Sequence, residues 1–251
     1  LELTNLRISA VSYLNTSPLV WGLLHGPQEN EAEVWFELPS ACAASVGAGL
    51  ADVGIIPVIE MHRLALPSVP GLGIASEGDV RSIFLISHVP ANRIESLALD
   101  TSSRTSAMLA RIVLARKYGA RPRTIPHVPL VDKMLTVADA ALVIGDPALR
   151  LAPKQEGYFV YDLGGEWFEM TGLPMVYAMW AGRRAGEAVQ LLHDSYEYGR
   201  ERIAEIVAEE AAPRGIPNGL ATEYLTRYIV YELSEKHERG LDLYLKMAAA
   251  V

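Results

Sequence analysis

The sequence predicts an α/β fold of two lobes, and three observations predict it. Apolar, strand-like runs lead into polar loops that start helix-like runs, the repeating unit of a parallel sheet. The pattern occupies residues 6 to 87 and then starts again near residue 97. Half of the 251 residues are apolar, enough for a substantial core in one large domain or two smaller ones.

Residues 6–11 alternate as a strand and run into Ser12-Tyr13-Leu14-Asn15-Thr16-Ser17, where Pro18 suits the first turn of a helix capped by Ser17. A second strand at 33–38 is followed by Pro39-Ser40, which opens a helix of small residues ending near Gly49. A third strand covers 52–57, with Glu60 and His62 beyond it. Residues 72–78 read as strand and turn, and 81–87 as a strongly apolar strand. The second round begins with a strand at 97–100 and a helix at 105–118, with Leu109, Ile112, Val113 and Arg116 at helical spacing. A proline-marked turn and short strand follow over 120–128, then a short helix at 131–137 and a buried strand at 141–144 that opens into Gly145-Asp146-Pro147. Residues 158–162 and 175–180 are further strands, joined by a segment rich in glycine and aromatic residues. From Ala185 the pattern is helical to the end, broken by the proline and glycine turn at 212–219. Lobe 1 is expected to hold residues 1–86 with 175–251, and lobe 2 residues 88–174. The strands at 82–87 and 175–180 are the expected crossings. Two crossings make a hinge with a ligand cleft between the lobes. Loops at the C-terminal ends of the strands face such a cleft; here they are 12–17, 39–42, 57–60, 100–106 and 145–147.

One of these loops carries the chemistry. Asp100-Thr101-Ser102-Ser103-Arg104-Thr105-Ser106 joins a strand to a helix. A helix start leaves backbone N–H groups without partners, and its dipole favours an anion; serine and threonine hydroxyls add donors for a carboxylate or phosphate. Capping needs one Ser or Thr, and five hydroxyls in six positions with an arginine among them exceed that need. Thr101, Ser102, Ser103, Arg104, Thr105 and Ser106 are therefore the candidate anion-binding residues.

Composition excludes several classes. The net charge is −8, and no basic stripe of the kind nucleic acids demand is present. No run approaches the roughly 18 apolar residues of a membrane span. The single cysteine, Cys42, forbids an intrachain disulfide and sits among small residues as a buried, inert thiol. The six histidines are scattered without metal-ligand spacing. No secretory leader is visible at Leu1, which favours a cytoplasmic location.

Val11-Ser12-Tyr13-Leu14-Asn15, Ala51-Asp52-Val53-Gly54-Ile55-Ile56-Pro57, Val80-Arg81-Ser82, the Asp100 to Ser106 loop, Ile144-Gly145-Asp146 and Thr171-Gly172-Leu173-Pro174 occur in that order. The ordered set resembles the chorismate dehydratases of the futalosine route to menaquinone, over nearly the whole chain. The resemblance implies the two-lobed fold of type 2 periplasmic binding proteins. It also implies conversion of chorismate to 3-[(1-carboxyvinyl)oxy]benzoate and water, without metal or organic cofactor. Chorismate carries two carboxylates and suits an anion-binding cleft. The reaction removes the hydrogen at C3 and the hydroxyl at C4, and loss of the C3 proton drives charge onto the ring carboxylate, where fixed donors would stabilise it. None of the histidines lies in the cleft loops. Asp146 is one candidate base, and the substrate's own enolpyruvyl carboxylate is the other and the preferred one. Asn15 and Ser82 are then expected to hold that carboxylate or the leaving hydroxyl, with Tyr13, Ser40, Gly145 and Asp146 completing substrate binding. Two alternatives stay open: a dihydroxynaphthoate synthase-like lyase, which would be expected to carry a cleft histidine, and a non-catalytic solute receptor for a small carboxylate. Oligomeric state is not legible.

Overall fold

The computed structural model describes residues 6–100, 102, 104–151 and 156–251. In chain order the elements are β1 (Leu6–Val11), α1 (Ser17–His25), β2 (Ala32–Glu37), α2 (Pro39–Ala48), β3 (Val53–Pro57), α3 (Val58–Arg63), β4 (Ser68–Ser76), β5 (Ile83–Ser87), β6 (Ser96–Asp100), α4 (Arg104–Lys117), β7 (Arg123–His127), α5 (Val131–Met134), β8 (Ala140–Ile144), α6 (Gly145–Leu149), β9 (Phe159–Asp162), α7 (Leu163–Thr171), β10 (Met175–Ala181), α8 (Ala185–Arg200), α9 (Ile203–Glu210), α10 (Asn218–Glu223), β11 (Val230–Glu232) and α11 (Glu235–Ala248). The chain divides after Ile74, after Val176 and after Leu233 into two compact units.

Unit 1 is built on a six-stranded sheet of order β11-β4-β10-β3-β1-β2. β1 runs parallel to β2 and β3, while β10 returns antiparallel to β3. Ile8, Val53, Ile55 and Ile56 are fully buried in it. α1 and α8 approach closely because each has a glycine at the contact: a Cβ on Gly22 would meet Ser195 Cα at 2.5 Å, and one on Gly199 would meet the Pro18 carbonyl oxygen at 2.1 Å. Buried Ser195 sits in that contact, donating to the Leu19 carbonyl at 3.0 Å and accepting from Leu23 N–H at 3.2 Å. α2 ends as its sequence predicts, with Gly49 left-handed at φ 76° after the last turn. Cys42 is buried there, and burial pushes its thiol up to about 12.

Unit 2 is built on a five-stranded sheet of order β7-β6-β8-β5-β9. β6 is parallel to β7 and β8, and β5 is antiparallel to β8 and β9. Its core includes Phe84, Ile86, Ala98, Met134, Ala141 and Val143. α4 is tied to α7 at its C-terminal end, where Lys117 pairs with Glu166 at 2.7 Å and Glu169 at 2.8 Å, and Tyr118 donates to Glu166 at 2.6 Å. α11 packs on α4 as well, with the Tyr244 hydroxyl donating to the Thr105 carbonyl at 3.1 Å.

Four features depart from the sequence expectation. The first passage between units lies in β4, after Ile74, and not in the strand at 82–87; β5 is wholly inside unit 2. Residues 234–251 belong with unit 2, whereas the sequence grouped them with lobe 1. The Tyr244 hydrogen bond and the close fit of Gly240 under Pro174 are the reason: a Cβ on Gly240 would meet the Pro174 carbonyl oxygen at 2.2 Å. The glycine-rich stretch after Asp162 is a helix, α7, because the Asp162 carboxylate caps it, accepting from Gly164 and Gly165 N–H at 2.9 and 3.2 Å. The all-helical C-terminal reading misses β11, a three-residue strand at the edge of the first sheet next to β4.

Candidate functional site

In unit 1 the candidate residues follow the C-terminal ends of β1 and β2. The strands stay in register to their last residues, Val11 opposite Glu37, and Ser12 N–H donates to the Glu37 carbonyl at 3.0 Å. Beyond β1 the chain tightens into a 3-10 turn, Leu14–Thr16, closed by Thr16 N–H on the Tyr13 carbonyl at 3.0 Å. Leu14 and Thr16 are fully buried, so half-buried Asn15 has little freedom between them. Its Nδ2 donates to the Tyr224 hydroxyl at 3.0 Å. Its Oδ1 is buried and finds no hydrogen-bond partner among the described residues. An amide oxygen left in that state costs about 1–3 kcal/mol, so it marks a position awaiting a donor. Tyr13 is half-buried and extended just before the turn, and half-buried Ser40 lies in the first turn of α2.

The floor beneath these loops is polar and satisfied. Glu37 Oε2 accepts from Ser9 Oγ at 2.7 Å, Ser45 Oγ at 2.8 Å and Trp35 Nε1 at 3.0 Å. Burial opposes its charge, yet these three donors outweigh burial and hold its carboxyl below the usual range. Glu60 is buried and bound to Arg63 at 2.7 Å, so its carboxylate is committed to an ion pair.

In unit 2 the register collects three candidate segments at one end of the sheet. Leu99 of β6 lies opposite Leu142 of β8, so the Asp100 to Ser106 segment and Gly145-Asp146 leave neighbouring strand ends. Ile83 opposite Ile144 brings Ser82 to the same end, where Gly145 N–H donates to the Ser82 carbonyl at 2.8 Å. Ser82, Ser102, Thr105, Ser106 and Asp146 are buried, and Arg104 is exposed on the first turn of α4. Thr101 and Ser103 lie outside the described residues. Gly145 takes φ 64°, a left-handed conformation that favours glycine at the turn from β8 into α6. Asp100 Oδ1 accepts from Ser102 N–H at 2.8 Å, the side-chain-to-backbone bond typical of an Asx motif. A charged Asp100 beside an anion would repel it; burial raises its pKa and favours the neutral acid.

Ser82 has a support that the sequence did not reveal. Asp162 accepts from Val80 N–H at 2.9 Å and Arg81 N–H at 2.7 Å while capping α7 with the same carboxylate. That clamp holds Arg81 at φ 66°, uncommon for a residue with a side chain, which is why β5 starts at Ile83 and not at Arg81. Burial raises the Asp162 pKa to about 6, against the four N–H donors, and neighbouring Asp79 adds to the rise. Asp162 before Gly164-Gly165 is a cap signal visible in sequence. Tyr224 beside Asn15 had none, being 209 residues away. Trp167 is core, fully buried with its indole N–H on the Pro174 carbonyl at 3.1 Å. Among the described residues no group of three or more His, Cys, Asp or Glu side chains is placed to hold a metal ion, and no helix is long and apolar enough to cross a membrane.

A family model described as menaquinone biosynthesis matches residues 6–250. The chain belongs to that family. A chorismate dehydratase from Thermus thermophilus is 30% identical to this menaquinone-biosynthesis protein over 202 residues, 73% of each chain. Another, from Campylobacter jejuni, is 24% identical over 246 residues, 96% of each. Among solved structures, a protein of Archaeoglobus fulgidus superposes with a TM-score of 0.78 at 18% identity, covering 98% of this chain and 97% of that one. The periplasmic aliphatic sulphonate binding protein of Escherichia coli superposes at 0.65 with 16% identity, covering 96% and 87%. At those identities the likeness is one of fold: the family member has the α/β fold of periplasmic binding proteins.

Proposed function

We propose that the protein is a chorismate dehydratase, a hydro-lyase that converts chorismate to 3-[(1-carboxyvinyl)oxy]benzoate and water in the futalosine route to menaquinone. The observation that carries this is a polar set at the strand ends of each unit, Tyr13 and Asn15 after β1 in unit 1, Ser82 before β5 with Ser102, Thr105 and Ser106 after β6 in unit 2. They occur in a chain 30% identical to the Thermus thermophilus dehydratase. Neutral hydroxyls and amides suit a dianionic substrate in a protein of net charge −8. A cytoplasmic location goes with this biosynthetic role.

The chemistry follows from the substrate. The C3–H electron pair becomes the new ring double bond as the C4–O bond breaks, and the departing oxygen takes up a proton to leave as water. Charge that spreads onto the ring carboxylate is stabilised by fixed donors at the start of α4. Each hydrogen bond to a charged acceptor contributes about 1.5–3 kcal/mol, more than the helix dipole, which gives about 0.3–2 kcal/mol. The substrate's enolpyruvyl carboxylate accepts the C3 proton and gives one up to the departing oxygen, so that the carboxylate is restored and water leaves. Glu60 is bound to Arg63, and Asn15 and Ser82 cannot act as bases at neutral pH, so their part is to orient.

Purified protein mixed with chorismate, with no metal or nucleotide added, should consume the diene absorbance and accumulate the enol-ether benzoate. Binding without turnover would instead favour a solute receptor, a role the same fold serves in the sulphonate binding protein.

A further inference from the structure

Two separate parts of unit 1 fix Asn15. The backbone is set locally by the 3-10 turn and its buried neighbours Leu14 and Thr16. The side chain is set by Tyr224, whose hydroxyl receives Nδ2 at 3.0 Å. Tyr224 opens a π-helical turn, Tyr224–Tyr228, closed by Ile229 N–H on the Tyr224 carbonyl at 3.1 Å. Such turns are rare and recur at functional sites. Tyr224 is 1% exposed, so its ring is locked in place.

A carboxamide has two donors on its nitrogen and an acceptor on its oxygen. With Nδ2 directed at the Tyr224 hydroxyl, Oδ1 faces away from it and is left as a buried acceptor without a partner among the described residues. An acceptor oxygen repels a carboxylate and attracts a hydroxyl hydrogen.

We propose that Tyr224 is a positioning residue that pins the Asn15 carboxamide, so that Oδ1 takes the hydrogen of the substrate's C4 hydroxyl. The proposal rests on the assignment of Asn15 to the substrate and deepens it, by giving Asn15 the leaving hydroxyl and not a carboxylate. With its hydrogen held by Oδ1, the hydroxyl turns its lone pairs elsewhere, toward the proton that makes it water, and its C–O bond is held in one orientation to the ring.

The test is a kinetic cycle with chorismate: wild type, Tyr224→Phe, Asn15→Ala and the double variant. Tyr224→Phe removes one oxygen and keeps the ring. It is expected to lower kcat roughly 10- to 100-fold, the scale of a misplaced group, and to raise KM about tenfold, because the same hydrogen bond holds the hydroxyl in the bound substrate. The double variant should be no slower than Asn15→Ala alone, because Tyr224 acts through Asn15. A second readout is binding of a chorismate analogue without the C4 hydroxyl. Wild type should hold an unreactive chorismate analogue that keeps the C4 hydroxyl at least about tenfold more tightly than the one without it, and both single variants should lose that preference. Wild-type kcat in Asn15→Ala would sink the assignment of Asn15, and the role of Tyr224 with it. Slow Asn15→Ala beside unimpaired Tyr224→Phe would overturn the positioning role alone, as would effects that multiply in the double variant. Should Tyr224→Phe not fold, Tyr224→Met takes its place in the same cycle.

Discussion

Ser82 and Asp146 are both buried at one end of the second sheet, yet their chemistry predicts opposite results on substitution. A serine that orients substrate contributes through geometry, so Ser82→Ala should cost roughly 10²-fold in kcat and leave the melting temperature nearly unchanged. Asp146 is the carboxylate that would act as base if the substrate did not, and a positioned general base is worth about 10²–10⁴-fold. With the enolpyruvyl carboxylate as base, Asp146→Asn keeps turnover within a few-fold of wild type. Loss of turnover in Asp146→Asn with chorismate binding intact would make Asp146 the base and end the substrate-assisted mechanism. Steady-state kinetics beside a titration calorimetry measurement separates the two outcomes.

At the scale of elements, the loop before β5 depends on a carboxylate that belongs to the end of β9 and the start of α7. Asp162 accepts four backbone N–H groups, from Val80, Arg81, Gly164 and Gly165. Its pKa is raised by burial to about 6 from an ordinary 3.8, so the folded protein holds that proton more tightly than the unfolded chain. The stability this linkage adds is fully present below 3.8 and is lost as pH rises through about 6. Urea unfolding of wild type and Asp162→Asn should therefore show the wild-type advantage shrinking between these two values and then staying level to neutral pH. An advantage that grows across that interval would mean that the four donors outweigh burial. At neutral pH the asparagine cannot accept all four bonds, because its amide nitrogen faces N–H donors. A lost bond to a charged acceptor, about 1.5–3 kcal/mol, loosens Arg81 from its left-handed conformation and Ser82 with it.

For the whole molecule, binding and stability are linked. A ligand that binds the folded chain alone stabilises it by about 2.7 kcal/mol at 100 times its Kd. In a protein of this size each kcal/mol raises Tm by roughly 2–4 °C, so a saturating chorismate analogue that is not turned over should raise Tm by about 5–10 °C. Asn15→Ala and Ser82→Ala should reduce that rise, and a calorimetric scan with and without the analogue checks it. An unchanged Tm in wild type would count against a chorismate-like ligand.

Much of this architecture was legible in residues 6–144, where strand periodicity, Pro18, Pro39 and Gly49 mark element boundaries locally. The hydroxyl-rich start of α4 was legible for the same reason, since capping chemistry is short-range. The sequence by itself determined most strands and helices up to residue 144 and which loops carry donors, because those follow from side-chain pattern and backbone preference over a few residues. Only the tertiary structure decided that β11 lies beside β4, that residues 234–251 pack with unit 2, that Asp162 holds Ser82's loop, and that Tyr224 meets Asn15. Those are contacts between segments far apart in the chain, chosen by packing and by the need of buried polar groups for partners, and no local pattern encodes them.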